Sequence, residues 1–365
     1  MTKHQQQRIF VTDCEGPISK NDNAYELTSR YIPEGSKFYT LLSRYDDVLA
    51  DVVKRKGYKA GDTLKLILPF LKAYDVTDQK MIDFSAKDIR LIAGAMDTMH
   101  FVHKTMPSFI VSTSYEHYIS ALCKAIGFPL ENTYSTKVNL DKYPIKPEEK
   151  ETLKQIAKEI MKMPIIEIPK NAKSLDELSL KDQATIKRLD GIFWSQIPHM
   201  SLGRIFDEVN PVGGREKAVA VKEIAAKCDC GVDCVLYVGD SITDLECFQL
   251  VRSDGGLTVS FNGNEYAVRE AQIAVMSEHT VVTSVLTDVF SRLGKDAVLQ
   301  LVREWSFSAL KRFETNPALL RQVGQLYSDN LPKVTIITSD NREEIVKESV
   351  AFRKKVRGEA IARLG

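Results

Sequence analysis

Two acid-bearing passages carry most of the chemistry this sequence offers. In Arg8-Ile-Phe-Val-Thr-Asp13-Cys-Glu15-Gly16-Pro17 a β-branched apolar run leads into a carboxylate, and a Gly-Pro break follows at once. Short apolar runs bounded by turn residues read as buried strands of a parallel sheet. An aspartate at the carboxyl end of such a strand stands where open α/β sheets bind ligands. The second passage, Cys234-Val-Leu-Tyr-Val-Gly239-Asp240-Ser241-Ile-Thr243-Asp244, repeats the design, with two acids four residues apart at a helix start. Acids at helix starts also serve as caps, so either passage alone says little. Together, two acidic strand ends suggest a divalent cation held between carboxylates, with Asp13 also placed to act as a nucleophile.

Two further passages lie between them. Ser108-Phe-Ile-Val-Ser112-Thr113-Ser114-Tyr115 is an apolar strand ending in hydroxyls, and Ser112 at such an end can donate to a phosphate oxygen with the next backbone N–H groups assisting. Gly213-Gly-Arg215-Glu216-Lys217 is a glycine turn opening a helix with Lys217 in its first turn. The order acid, hydroxyl, lysine, acid pair resembles the four motifs of the haloacid dehalogenase-like (HAD) superfamily of phosphatases and phosphotransferases. The best match is the phosphoserine-phosphatase-like branch. The resemblance covers roughly residues 8–20, 106–130 and 205–290, and the Gly-Asp-Ser-x-Thr-Asp block is its most specific part.

The resemblance implies a Rossmann-like α/β core with a parallel sheet, and Mg²⁺-dependent hydrolysis of a small phosphomonoester through an aspartyl-phosphate. On that pattern Asp13 is the nucleophile, and Asp13, the backbone carbonyl of Glu15, Asp240 and Asp244 hold the metal or its waters. Ser112, Thr113 and Lys217 bind the phosphoryl oxygens. Glu15 departs from the common D-x-D pattern, although a D-x-E-G variant occurs among phosphoserine-phosphatase-like relatives. The longer side chain keeps the acid/base chemistry of the usual aspartate, which protonates the leaving oxygen and then activates water. The branch also places an acidic residue shortly after the first motif to receive a substrate amino group. Asp22 and Glu26 are the candidates here, with Arg30 available for a substrate carboxylate.

Positioning these residues takes more chain than one ordinary domain supplies, since 365 residues suggest two or three units. The expected core is residues 1–20, 106–131 and 207–290. Residues 21–105 show apolar spacings of three and four, which read as an inserted helical bundle; in the HAD family an insertion at this point is a cap that closes over the site. Residues 132–206 form a second insertion longer than ordinary relatives carry. It opens on a Pro-rich charged segment, continues as a helix from Glu148 to Met163 behind Pro147, passes a short extended piece from Pro164 to Pro169, and ends in a helix over about 180–196. This insertion is a candidate second lid, homodimer arm or protein-partner surface. Residues 291–365 read as a helical extension with one strand candidate at 333–338, and the basic last twenty residues read as a solvated helix face.

Composition sets outer bounds. Hydrophobic residues at 44% and charged residues at 27% suit a soluble globular protein, and a net charge of +1 gives no reason to expect nucleic acid or a membrane as partner. No apolar run approaches the ~20 residues needed to span a bilayer, and the Met-Thr-Lys-His start lacks a signal peptide's apolar core, so the cytoplasm is the expected address. Cys228, Cys230 and Cys234 form a C-x-C-x3-C cluster without the paired spacing or fourth ligand of a zinc knuckle, and the six cysteines read as structural thiols. The rival to the hydrolase is a HAD-fold protein that transfers phosphate to an acceptor other than water, or that has lost activity and serves as an interaction subunit. Fold alone does not choose between them.

Overall fold

The computed structural model describes residues 7–170, 172–328, 330–362 and 364. Its framework is a seven-stranded sheet in the order β3-β2-β1-β4-β5-β6-β7. The strands are β1 (Ile9–Thr12), β2 (Ser108–Tyr115), β3 (Thr133–Thr136), β4 (Val235–Gly239), β5 (Leu257–Phe261), β6 (Ile273–Met276) and β7 (Lys333–Ile336). All neighbours pair in parallel except β6 and β7, which are antiparallel. Strands buried on both faces read as continuous apolar runs, which is why β1 and β4 are so plain in the sequence.

Alternation along the strands sends side chains to two separate layers. Phe10, Ile110, Leu236 and Val238 join one cluster, while Ile9, Val11, Val111, Val235 and Tyr237 join another. Between β1 and β2 the chain forms α1 (Asn23–Tyr31), α2 (Gly35–Asp47), α3 (Thr63–Ala73), α4 (Asp78–Lys87) and α5 (Ala95–Thr105). The last of these is not part of the expected helical bundle. Ala95, Met99 and Val102 of α5 pack into the first sheet layer together with Val282, Val285 and Val289, so the bundle between the first two motifs ends near α4.

The sequence expectation for the second insertion needs one correction. Its first residues are not an insertion: β3 pairs with β2 through Ile110↔Thr133 and Val111↔Tyr134 and forms the sheet edge after α6 (Glu116–Ile126). The segment 164–169, with prolines at both ends, joins no sheet ladder. The helices α7 (Pro147–Lys162), α8 (Leu180–Gly191) and α9 (Ile205–Glu208) follow, and α7 starts on Pro147 as its first-turn proline.

These helices do not stand apart from the bundle before β2. Leu153, Ile156 and Ile160 of α7 and Ile186 and Leu189 of α8 share one apolar cluster with Leu27, Phe38, Leu41 and Phe70. Phe70 meets Phe38 and Phe193 edge-on at centroid distances of 4.9 and 6.1 Å. Burying each such side chain contributes ~1.5–3 kcal/mol, so the two inserted segments form a single helical body over the sheet's carboxyl end. The buried apolar side chains of α7 and α8 are used within the chain.

The rest of the core is α10 (Arg215–Lys227), α11 (Leu245–Ser253), α12 (Glu265–Glu270) and α13 (Val281–Leu293). Behind it come α14 (Lys295–Arg303), α15 (Phe307–Arg312), α16 (Pro317–Tyr327), α17 (Arg342–Arg357) and α18 (Glu359–Ala362). This tail is no loose extension. Val298, Leu301, Leu310 and Val323 sit in the first sheet layer, and β7 extends the sheet.

Candidate active site

β1 lies between β2 and β4, the place where the winding of the sheet reverses, and ligands of open α/β sheets collect at such switch points. The neighbouring strand ends bring Asp13, the Ser112–Ser114 segment and Asp240 to one cavity of about 90 Å³. That is several times the ~10–15 Å³ one water needs. Asp13, Glu15, Asp22, Ser112, Thr113 and Asp240 all line it. The helical body contributes Tyr39, Ser43, Asp46 and Thr63 from above.

Asp13 is held from both sides. Its N–H donates to Val238 O at 2.8 Å, and its Oδ1 accepts from Cys14 N at 2.6 Å. Lys217 does not line the cavity but backs it, with Nζ 2.6 Å from Asp13 Oδ2 and 2.7 Å from Asp244 Oδ1 at 0% exposure. Burial alone would lower the Lys217 pKa, but the two carboxylates outweigh it and hold the ammonium above its ordinary value. Burial pushes the Asp13 carboxyl up to about 7, with Lys217 opposing and Asp244 and Asp240 adding to the rise.

Asp244 is held by four donors. Oδ1 accepts from Lys217 and from Tyr237 OH at 2.6 Å, and Oδ2 accepts from the N–H groups of Asp240 at 2.9 Å and Ser241 at 3.1 Å. Four donors saturate it, so it anchors the turn after β4 and the lysine. Gly239 is required beside it, because a Cβ there would meet the Asp244 carboxyl carbon at 2.5 Å.

Glu15 accepts from Asn23 N at 2.7 Å. Burial pushes its carboxyl up to about 8; neighbouring Asp22 adds to this, and the Asn23 N–H and Arg357 oppose it. A carboxyl protonated at neutral pH is what a general acid needs. Ser112 is buried, with Oγ accepting from Ser114 N at 3.2 Å. The hydroxyls of Thr113 and Ser114 are buried in the cavity wall without a hydrogen-bond partner among the described residues. Unpartnered buried hydroxyls are uncommon and point to a polar ligand.

Of the three specificity candidates, only Asp22 reaches the cavity. It caps α1, accepting from Tyr25 N at 2.9 Å, and burial raises its pKa. Glu26 is turned away, hydrogen-bonded to Asn21 Nδ2 at 2.8 Å and paired with Arg90. Arg30 is exposed at the end of α1 and lines no part of the cavity. The bonds to Asn21 and Arg90, not the helical spacing, keep Glu26 out of the cavity.

The basic tail overturns the expectation of a solvated face. Arg353 and Arg357 of α17 are buried, line the cavity, and both pair with Asp240 Oδ2, Arg357 at 3.1 Å. A sequence signal was present: Ile345, Ser349, Arg353 and Arg357 recur at fours and form the buried stripe of that helix.

The oxygen-only set of Asp13, Asp240 and Asp244, with one ligand atom each within 4.8 Å of one another, is the single such group among the described residues. Its chemistry fits a hard divalent cation such as Mg²⁺. Of the three, Asp13 and Asp240 line the cavity directly. The six cysteines are free thiols, with Cys228 and Cys230 half-buried.

No protein-family model and no curated protein matches the sequence. Among solved structures, the gene product AF1437 from Archaeoglobus fulgidus is similar over 99% of both chains, at 25% identity and a TM-score of 0.79. The four motifs of the sequence meet at the carboxyl ends of β1, β2 and β4 within that shared fold. The fold shared with that protein is an open, mostly parallel α/β sheet with helical additions. More distant similarity extends to a phospho-aspartyl intermediate analogue of phosphoserine phosphatase, at 13% identity and TM-score 0.47 over 77% of this chain and 97% of that one. A HAD family hydrolase from Salmonella enterica serovar Typhi is similar at 10% identity and TM-score 0.42, over 74% of this chain and 65% of that one.

Proposed function

We propose that the protein is a phosphomonoester hydrolase acting through an aspartyl-phosphate on Asp13, of the phosphoserine-phosphatase-like kind, with Mg²⁺ as cofactor. The observation that carries this reading is Asp13 itself: a buried strand-end carboxylate beside Ser112 and the unpartnered hydroxyls of Thr113 and Ser114, and backed by Lys217.

The steps follow from the residues. A phosphoryl group in the cavity accepts from Ser112, Thr113 and Ser114, which set its phosphorus before Asp13. The carboxylate oxygen of Asp13 bonds to phosphorus as the ester P–O bond breaks, and Glu15 passes its proton to the departing alcohol oxygen. Glu15, now ionised, takes a proton from a water whose oxygen bonds to phosphorus, and the Asp13–phosphorus bond breaks to release phosphate. Lys217 keeps Asp13 oriented and offsets negative charge as it builds. A Mg²⁺ ion between Asp13 and Asp240 would supply charge neutralisation for the approach of two anions. The helical body roofs the cavity, so the substrate class is a small metabolite, and Asp22 supports one carrying an ammonium group.

Phosphate release from a panel of small phosphomonoesters, with and without Mg²⁺, tests the reading. Mg²⁺-dependent turnover lost in Asp13→Asn is expected. Turnover that persists in that variant contradicts it.

A further inference from the structure

Arg353 and Arg357 stand one helical turn apart on α17, so their side chains leave the same face. That face points inward, with Arg353 2% and Arg357 8% exposed. Arginine is almost never so buried unless paired. Arg353 donates through Nη1 to Asp240 Oδ2, to the Asp240 carbonyl at 3.2 Å and to the Asn262 carbonyl at 3.5 Å. Arg357 donates through Nη1 to the same Oδ2 at 3.1 Å. Two guanidiniums on one carboxylate oxygen bring the charge of one divalent ion to the place where such an ion would sit.

The rest of Arg357 reaches the root of the helical body. Its Nε donates to Lys20 O at 3.3 Å and its Nη2 to Asn21 O. Asn21 in turn ties the outgoing chain to the returning one, through Asp88 O at 2.7 Å and Arg90 N at 2.8 Å. Ile345 and Val346 near the start of α17 are buried with Val268, Ala274 and Met276, and Val350 and Phe352 pack on the same cluster. Val356 packs on the first sheet layer. On the stripe that faces the site the contacts are polar, with Ser349 Oγ on Gly263 O at 2.7 Å and then the two arginines, and such contacts can be exchanged for water or another ion.

We propose that the carboxyl-terminal half of α17 is a strap whose arginine pair holds the metal's place at Asp240, so that a divalent ion and the docked arginines exclude one another. This rests on the reading of Asp240 as a metal ligand. An ion arriving at that oxygen faces both guanidiniums at contact distance in a buried site, where salt does not screen the repulsion. Ion entry therefore releases Arg353 and Arg357. Release of Arg357 in turn frees the Lys20 and Asn21 carbonyls at the hinge of the helical body, so one event arms the site and loosens its roof.

The test is direct ion binding in the absence of substrate. Mn²⁺ affinity is measured by electron paramagnetic resonance, and Mg²⁺ affinity by calorimetry, on wild type, Arg353→Ala, Arg353→Lys and Asp240→Asn. The strap predicts at least about tenfold tighter binding for Arg353→Ala, within the usual range of coupling between sites. It predicts near wild-type affinity for Arg353→Lys and loss of binding in Asp240→Asn. In wild type, Mg²⁺ should also raise amide hydrogen exchange over residues 347–357, a readout that needs no variant. Unchanged or weaker binding by Arg353→Ala, or exchange indifferent to Mg²⁺, overturns the strap. Hydrolysis of phosphomonoesters would survive that result, whereas tighter binding without any hydrolysis would keep the strap and remove the phosphatase.

Discussion

The ammonium of Lys217 lies 2.6 Å from the carboxylate of Asp13, and no part of the lysine reaches the surface. The lysine comes from α10 and the aspartate from the end of β1, so the pair locks that helix to the strand that carries the proposed nucleophile. Asp244, 2.7 Å away on the far side, completes a buried chain of acid, base and acid.

Removing the lysine leaves two buried carboxylates uncompensated. Breaking a buried pair by deleting one partner typically costs ~3–5 kcal/mol, so Lys217→Met should lower the urea unfolding midpoint accordingly and abolish turnover. A variant as stable as wild type would mean that Asp13 and Asp244 are neutral, and the charge argument would fall.

Gly16 is fixed by geometry. Its φ is +107°, and a Cβ there would overlap the Asp240 carboxylate. Gly16→Ala should therefore displace Asp240, lower thermal stability by an amount on the order of 1–3 kcal/mol, and reduce activity. Wild-type melting and wild-type kinetics together would show that the turn has slack the structure denies.

Glu15 governs the pH profile. Burial beside Asp22 pushes its carboxyl up to about 8. The acid form is required to protonate the leaving oxygen, so kcat/KM should fall as pH rises through that value. Glu15→Gln should reduce turnover by ~10²–10⁴ and lose this limb. A limb at the same pH in Glu15→Gln would assign it to another group.

Asp22 separates binding from chemistry. A desolvated ion pair lost on truncation costs ~2–5 kcal/mol, so Asp22→Ala should raise KM for an amino-acid phosphate by tenfold or more. Turnover of p-nitrophenyl phosphate, which has no amine, should be little changed. The lost helix cap should lower stability by ~1 kcal/mol. Equal loss on both substrates would make Asp22 a structural residue.

The strands that carry Asp13, Ser112 and Asp240 were legible because each is a short apolar run with its functional residue at a turn, a local pattern needing no tertiary information. Lys217 was legible from the glycine turn before it. The hydrogen bonds that hold Asp244 were not, since its four donors come from β4, the turn and α10 together. Arg353 and Arg357 were missed because a basic helix ordinarily faces solvent, and only their spacing from Ile345 and Ser349 marked the buried side. The merger of the two insertions was hidden for a similar reason: periodicity shows that α3 and α7 each have an apolar face, but not that the faces meet.

The most direct measurement concerns Asp13 itself. A reaction with a turned-over phosphomonoester is quenched in acid within the steady state, and the peptide containing Asp13 is weighed by mass spectrometry. The account predicts a peptide heavier by one phosphoryl group, with the added mass on Asp13, labile to hydroxylamine and missing from Asp13→Asn. Turnover with no phosphorylated Asp13 peptide, or with the phosphoryl group on another residue, would contradict it.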